Sequence, residues 1–88
     1  MPSDPDQILH DLGRRVAELR RGQSWTQEQL AEALDVSVRY VQGIEAGREN
    51  MSVRSLSKLA DALEVEVREL FDEPEDRTVR VGRPPKGS

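Results

Sequence analysis

The residues whose side chains could do chemistry lie close together between positions 37 and 52. Arg39 and Gln42 are three residues apart, so on a helix they share one face. An arginine can donate two hydrogen bonds to guanine, and a glutamine can pair with adenine. Elsewhere the chain has one histidine, His10, and no cysteine, so we expect no metal site, no cofactor and no enzyme activity. The residue types favour recognition of another molecule over catalysis.

Two short helices separated by a tight turn are predicted to position these side chains. Thr26 is a suitable N-cap for the first helix and Ser37 for the second. Asp35 lies in the turn, where its short polar side chain tolerates a left-handed backbone. Gly47 is suited to end the second helix. Residues 26–48 are therefore predicted to form a helix–turn–helix.

The remaining sequence predicts further amphipathic helices and a tail of different composition. Ser3 to Asp6 has the residue types of a helix start, and Ser52 is a suitable cap for a later helix. We expect an all-α domain of five helices in residues 1–71, with no strand before Arg77. Residues 72–88 are predicted to be an acidic linker and a basic, flexible end rich in proline and glycine.

The run TQEQLAEALDVS at 26–37, followed by YVQGIEAG at 40–47, resembles the phage repressor and Cro-type (XRE-like) family of helix-turn-helix DNA-binding proteins. The resemblance extends over about Leu12 to Phe71. One departure is Asp35, where the family usually has glycine. The resemblance implies a lambda-repressor-like domain that regulates transcription by binding a pseudo-palindromic operator as a homodimer. Within the family, the chain is most similar to restriction–modification controller proteins.

The second helix, about residues 38–45, is the predicted recognition helix in the major groove of double-stranded DNA. With Val41 and Ile44 directed inward, the opposite face should meet the base edges. The predicted base-reading residues are Ser37, Val38, Arg39, Gln42 and Gly43. At Gly43 the missing side chain is expected to let a DNA backbone or base approach the helix. The alternative is that Arg39 and Gln42 form an ordinary solvated face and that Gly43 is a mild helix defect.

Phosphate contacts are expected from helix N-termini and from the loop after the recognition helix. The candidates are Gln27, Tyr40, Arg48, Asn50 and Ser52, and the resemblance assigns this role to Gln27. Ser37 and Ser52 also have a simpler interpretation, as caps alone. The resemblance further implies a structural ion pair between the first and third helices, for which Arg20 and Glu45 occupy the matching positions at the edges of the core stripes.

The short segment at the end of the domain has more apolar residues than its own packing requires. Val65, Val67, Leu70 and Phe71 are therefore predicted to form a dimer interface. A rival interpretation is a protein-interaction adaptor, or an antitoxin, whose last helix or tail binds a protein partner. Its support is the net charge of −4 and the acidic segment DEPED at 72–76, which precedes a basic end.

The tail segment Gly82-Arg83-Pro84 resembles basic hooks that lie in the minor groove of A·T-rich DNA. A disordered soluble end is the favoured interpretation of this segment, and a basic end that folds back on DEPED is a further alternative. No apolar run is long enough for a membrane span or for the core of a signal peptide. We therefore expect a cytoplasmic, nucleoid-associated protein without membrane contact.

Overall fold

The computed structural model describes residues 3–75, and within that range it contains helices and no strand. The helices are α1 (Pro5–Gly22), α2 (Gln27–Leu34), α3 (Val38–Glu45), α4 (Val53–Leu63) and a 3-10 helix (Val67–Phe71). The predicted all-α class is confirmed. The fifth helix is a 3-10 turn and not an α-helix, because five residues form few i→i+4 hydrogen bonds. The proposed hook at 82–84 lies outside the described residues.

Side-chain caps fix the start of each helix that matters for the site. Thr26 Oγ1 accepts from the Gln29 N–H at 3.0 Å, and Gln29 Oε1 accepts from the Thr26 N–H at 2.8 Å. Ser37 and Ser52 each accept from the N–H three residues further on, both at 3.1 Å. The predicted caps are therefore all present, and α3 is held in a defined position after the turn.

Two helices have a non-glycine C-cap in the left-handed conformation, Asp35 after α2 and Glu64 after α4, and only Asp35 was expected. Asp35 has φ 60° and ψ 47°, and the next N–H, of Val36, donates to Ala31 O at 3.0 Å. Glu64 repeats this geometry after α4 with φ 62° and ψ 42°. Glutamate has no local advantage in that region, so Glu64 stores strain of roughly 1 kcal/mol. Because Asp35 adopts the left-handed conformation, the turn between α2 and α3 keeps its geometry without a glycine.

The core joins α1 directly to the carboxyl end of α3. A Cβ added at Gly13 would lie 2.5 Å from Ile44 O and 2.6 Å from Glu45 O. Only glycine therefore permits this approach, and the recognition helix rests on the α1 backbone. The largest fully buried side chains of the core are Val16, Leu30, Val41, Ile44, Leu59, Leu63 and Leu70.

The assignment of Leu70 to a dimer interface is wrong. Its side chain is 0% exposed within the single chain, so no surface remains for a partner. The 3-10 helix packs on α1, where Arg15 Nε donates to Glu69 O at 2.9 Å, and this contact directs Leu70 into the core. Val65 and Val67 are half-buried against the same core, whereas Phe71 is 49% exposed. Much of the predicted apolar surplus is therefore used inside the domain.

Candidate nucleic-acid interface

One face of α3 presents polar side chains to solvent. Arg39 and Gln42 are exposed, and Val41 and Ile44 on the other side are buried. Ala46, which caps the helix, is exposed as well. Positions 39, 42 and 46 span roughly 60° of the helix circumference. The outward stripe is therefore an arginine, a glutamine and a methyl group, and Ala46 could have been found from its spacing of seven residues from Arg39.

The exposed groups on this stripe are available for a ligand. Within residues 3–75, neither Arg39 nor Gln42 has a side-chain hydrogen bond or an ion pair. Val38 is half-buried and packs against the core, so it presents only part of its surface. Ser37 is exposed, and its hydroxyl caps the helix. These residues lie at the N-terminal end of α3, where the helix dipole favours negative charge.

Gly43 does not have the role that its position suggested. It is buried, and a Cβ at this position would lie 2.8 Å from Oε2 and 3.0 Å from Cγ of Glu49. The side chain of Glu49 therefore fills the space beside the glycine, and the expectation of an open approach for DNA at Gly43 is wrong. The sequence did not indicate Glu49, because the direction of a loop side chain six positions after Gly43 cannot be predicted from local patterns.

The candidate phosphate contacts fall into two groups. Arg48, Asn50 and Ser52 are exposed in the connection after α3. Gln27 is half-buried, and its Nε2 donates to Glu45 Oε1 at 2.9 Å. Its side-chain amide is therefore engaged inside the chain, which leaves the backbone N–H at the first position of α2 for a phosphate.

Tyr40 lies on the flank of α3 and not on the outward stripe. It is half-buried and packs against the core. It also lines a groove between the turn and α4, together with Leu34, Asp35, Val36, Met51, Ser55 and Lys58. A phosphate contact from Tyr40 would therefore come from the edge of the helix.

Arg20 and Glu45 form an ion pair that joins three elements. Arg20 Nε lies 2.7 Å from Glu45 Oε2, and Arg20 Nη2 donates to Glu45 Oε1 at 3.1 Å. Arg20 Nη1 also donates to Trp25 O at 2.8 Å, before α2 begins. With the hydrogen bond from Gln27, the carboxylate accepts three donors. The two side chains are only 10% and 8% exposed, so this bidentate pair positions the recognition helix from inside.

Other kinds of site find no support in the part of the chain that the structure describes. No group of three His, Cys, Asp or Glu side chains is arranged to hold a metal ion there. None of the helices within residues 3–75 is long and apolar enough to cross a membrane. The exposed face of α3 is therefore the strongest candidate site.

Comparison with protein families and sequences points to regulators of transcription. The helix-turn-helix family model HTH_3 matches residues 16–70. The "Uncharacterized HTH-type transcriptional regulator y4aM" of Sinorhizobium fredii is 35% identical over 72 residues, which cover 82% of this chain and 50% of that protein. The competence pilus inhibition repressor of Acinetobacter baylyi is 38% identical over 61 residues, which cover 69% and 56%. The chain thus spans about half the length of these two relatives.

A solved structure extends the similarity to a restriction-modification controller protein. The restriction-modification controller protein C.AhdI from Aeromonas hydrophila is 43% identical, with a TM-score of 0.69. The match covers 72% of this chain and 96% of that protein. The similarity therefore includes nearly the whole of the controller protein's fold.

Proposed function

Because this chain belongs to the helix-turn-helix family HTH_3, we propose that it is a sequence-specific regulator of transcription that binds operator DNA as a homodimer. The family consists of DNA-binding transcription regulators, so this domain is a DNA-binding module and not an enzyme. The observation that carries the proposal is the exposed face of α3. Arg39 and Gln42 stand there without partners among residues 3–75, on a helix whose N-terminus is capped and held from behind.

Base readout in this proposal comes from the N-terminal part of α3 in the major groove. Arg39 donates to a guanine and Gln42 pairs with an adenine. Ser37 and Val38 lie at the start of the helix, where Val38 has enough exposed surface to touch a thymine methyl. Ala46 adds a small apolar contact at the far end of the stripe.

Backbone contacts in this proposal come from the helix N-termini and the connection after α3. The first N–H of α2, at Gln27, and the N-terminus of α4, at Ser52, each present unpaired backbone donors to a phosphate. Arg48 and Asn50 add exposed side chains between them, and Tyr40 contributes from the edge of α3. These contacts orient the domain but carry no sequence information.

A homodimer follows from the small reach of one recognition helix. A single helix reads only a few base pairs, so useful specificity calls for two copies on a pseudo-palindrome. Since Leu70 is internal, the proposed interface is centred on the exposed ring of Phe71, with Val65 and Val67 at its border. The match to almost all of a restriction-modification controller protein supports a small regulator of this type. A regulator that acts on operator DNA is expected in the cytoplasm.

Selection from a random library of double-stranded DNA tests the proposal. The purified protein should enrich a two-fold symmetric motif. Arg39→Ala and Gln42→Ala should each lose roughly 1–3 kcal/mol on that motif, with little change on random DNA. Lys58→Ala, which removes an exposed charge from the middle of α4, is the matched control and should retain the preference.

Two results would argue against this function. Equal weakening of motif and random DNA by Arg39→Ala and Gln42→Ala would mean that these side chains do not read bases. Failure to enrich any motif, even at low salt where phosphate contacts are strongest, would favour the interpretation as a protein-binding adaptor.

A further inference from the structure

The loop after α3 places a carboxylate beside the recognition helix. The closest described neighbour of a Cβ built at Gly43 is Glu49 Oε2, at 2.8 Å, followed by Glu49 Cγ at 3.0 Å and Cδ at 3.3 Å. The Glu49 side chain therefore lies against α3 at position 43, in the space that the side chain of any residue other than glycine would occupy. The acidic group takes the place of a side chain at position 43.

Position 43 lies next to the proposed readout stripe. It follows Arg39 by one turn, and the two positions differ by roughly 40° around the helix axis. The carboxylate of Glu49 is therefore presented close to the direction in which Arg39 points. Glu49 is half-buried and has no hydrogen bond or ion pair within residues 3–75.

The backbone of the loop fixes this placement. The Arg48 N–H donates to Gly43 O at 2.8 Å, and the Gly47 N–H donates to Ile44 O at 3.0 Å. Gly47 has φ 79°, a left-handed conformation that glycine adopts without strain. The two residues directly before Glu49 are therefore hydrogen-bonded to the last turn of α3, and this fixes the backbone position from which the Glu49 side chain extends.

We propose that Glu49 is a specificity-determining residue, which accepts a hydrogen bond from the N4 amino group of a cytosine in the major groove. This inference rests on the proposed function. A carboxylate has only acceptors, and the cytosine amino group is the donor that acidic side chains read in this groove. A guanine or thymine at the same place presents acceptor oxygens instead, and adenine places its N7 acceptor beside its amino group, so at each of these bases the carboxylate would face an acceptor. Glu49 therefore selects against those bases as well as for cytosine.

Variants of both contact partners test the assignment. The wild type should select a motif with cytosine at one position in each half-site. Glu49→Gln should relax that preference while the other positions persist, because its amide can donate as well as accept and so no longer rejects guanine or thymine. Gly43→Ala should change the same position, because its methyl group displaces the Glu49 side chain. Alanine favours a helix more than glycine does, so Gly43→Ala should melt at or above the wild-type temperature. Glu32→Gln, the same change at an exposed site on α2, should leave the motif intact.

A modified base tests the hydrogen bond itself. N4-methylcytosine at the selected position replaces the amino hydrogen that faces the major groove with a methyl group. Wild-type affinity should then fall about 5- to 10-fold, whereas Glu49→Ala should bind methylated and unmethylated DNA equally.

The outcomes separate this inference from the proposed function. A wild-type motif that is unchanged in Glu49→Gln overturns the assignment of Glu49 and leaves the proposed function standing. The assignment is also overturned if Glu49→Gln binds all DNA sequences more tightly by the same factor as Glu32→Gln does. The carboxylate of Glu49 would then act only as a distant charge. If the wild type selects no motif, the proposed function fails, and the role of Glu49 fails with it.

Discussion

Replacing Glu45 with glutamine should destabilise the fold by roughly 2–3 kcal/mol without changing the DNA sequence that the protein prefers. The carboxylate accepts three donors, two from Arg20 and one from Gln27. A glutamine at this position offers one acceptor oxygen and turns an NH₂ group toward at least one of those donors. The charge of Arg20 would then remain in a site where the side chain is only 10% exposed.

The magnitude follows from these contacts. Removing one partner of a buried ion pair costs roughly 3–5 kcal/mol. The amide of glutamine keeps one or two of the hydrogen bonds, each with a net contribution of about 1 kcal/mol. The remaining loss is roughly 1–4 kcal/mol, and its central value is the 2–3 kcal/mol expected here. For a domain of this size, each kcal/mol lowers the melting temperature by roughly 4–8 °C, so a decrease of roughly 10–20 °C is expected.

Thermal and urea unfolding, followed by circular dichroism, measure the effect. Glu32→Gln, which makes the same chemical change on the exposed surface of α2, is the control and should stay within about 0.5 kcal/mol of the wild type. In an Arg20→Met background, Glu45→Gln should reduce the free energy of unfolding by clearly less, because no guanidinium charge then remains unpaired in the site. The reasoning would be refuted by a Glu45→Gln protein that melts normally but selects a different DNA motif.

Two other predictions use exposed and strained positions. Glu64→Gly should raise the free energy of unfolding by roughly 0.5–1 kcal/mol, because glycine relieves the left-handed strain at φ 62°. Glu64→Ala is the control for loss of the carboxylate. If urea unfolding shows an equal stabilisation of Glu64→Ala, backbone strain is not the cause. Phe71→Asp should give a folded monomer in sedimentation experiments with weaker operator binding, whereas Leu70→Asp should unfold the domain because it places a charge in the core. An unchanged dimer of Phe71→Asp would move the interface away from the 3-10 helix.

The amino-acid sequence by itself determined the local framework of the domain. Thr26, Ser37 and Ser52 were identifiable as caps because each accepts a hydrogen bond from an N–H only three residues further on. Asp35 and Gly47 were identifiable as turn residues because few residue types tolerate a positive φ. Signals of this kind depend on neighbours within one helical turn, so they can be read without knowing how the chain packs.

Tertiary structure decided which surfaces remain for a partner. Leu70 looked available in a short apolar segment, but the packing of that segment on α1 buries it completely. Gln27 looked free for a phosphate, but the pair of Arg20 and Glu45 brings an acceptor to its amide. In both cases the deciding neighbour is far away in the sequence, so no local pattern could report it.

The sharpest difference lies at Gly43. The sequence showed a glycine on the outward side of α3, and an approaching DNA backbone or base was a reasonable explanation for the missing side chain. The structure fills that space with Glu49, because the left-handed turn at Gly47 brings the loop back along the helix. The direction of a loop side chain depends on the whole backbone path that precedes it, and for this reason only the tertiary structure could place a carboxylate beside the readout face.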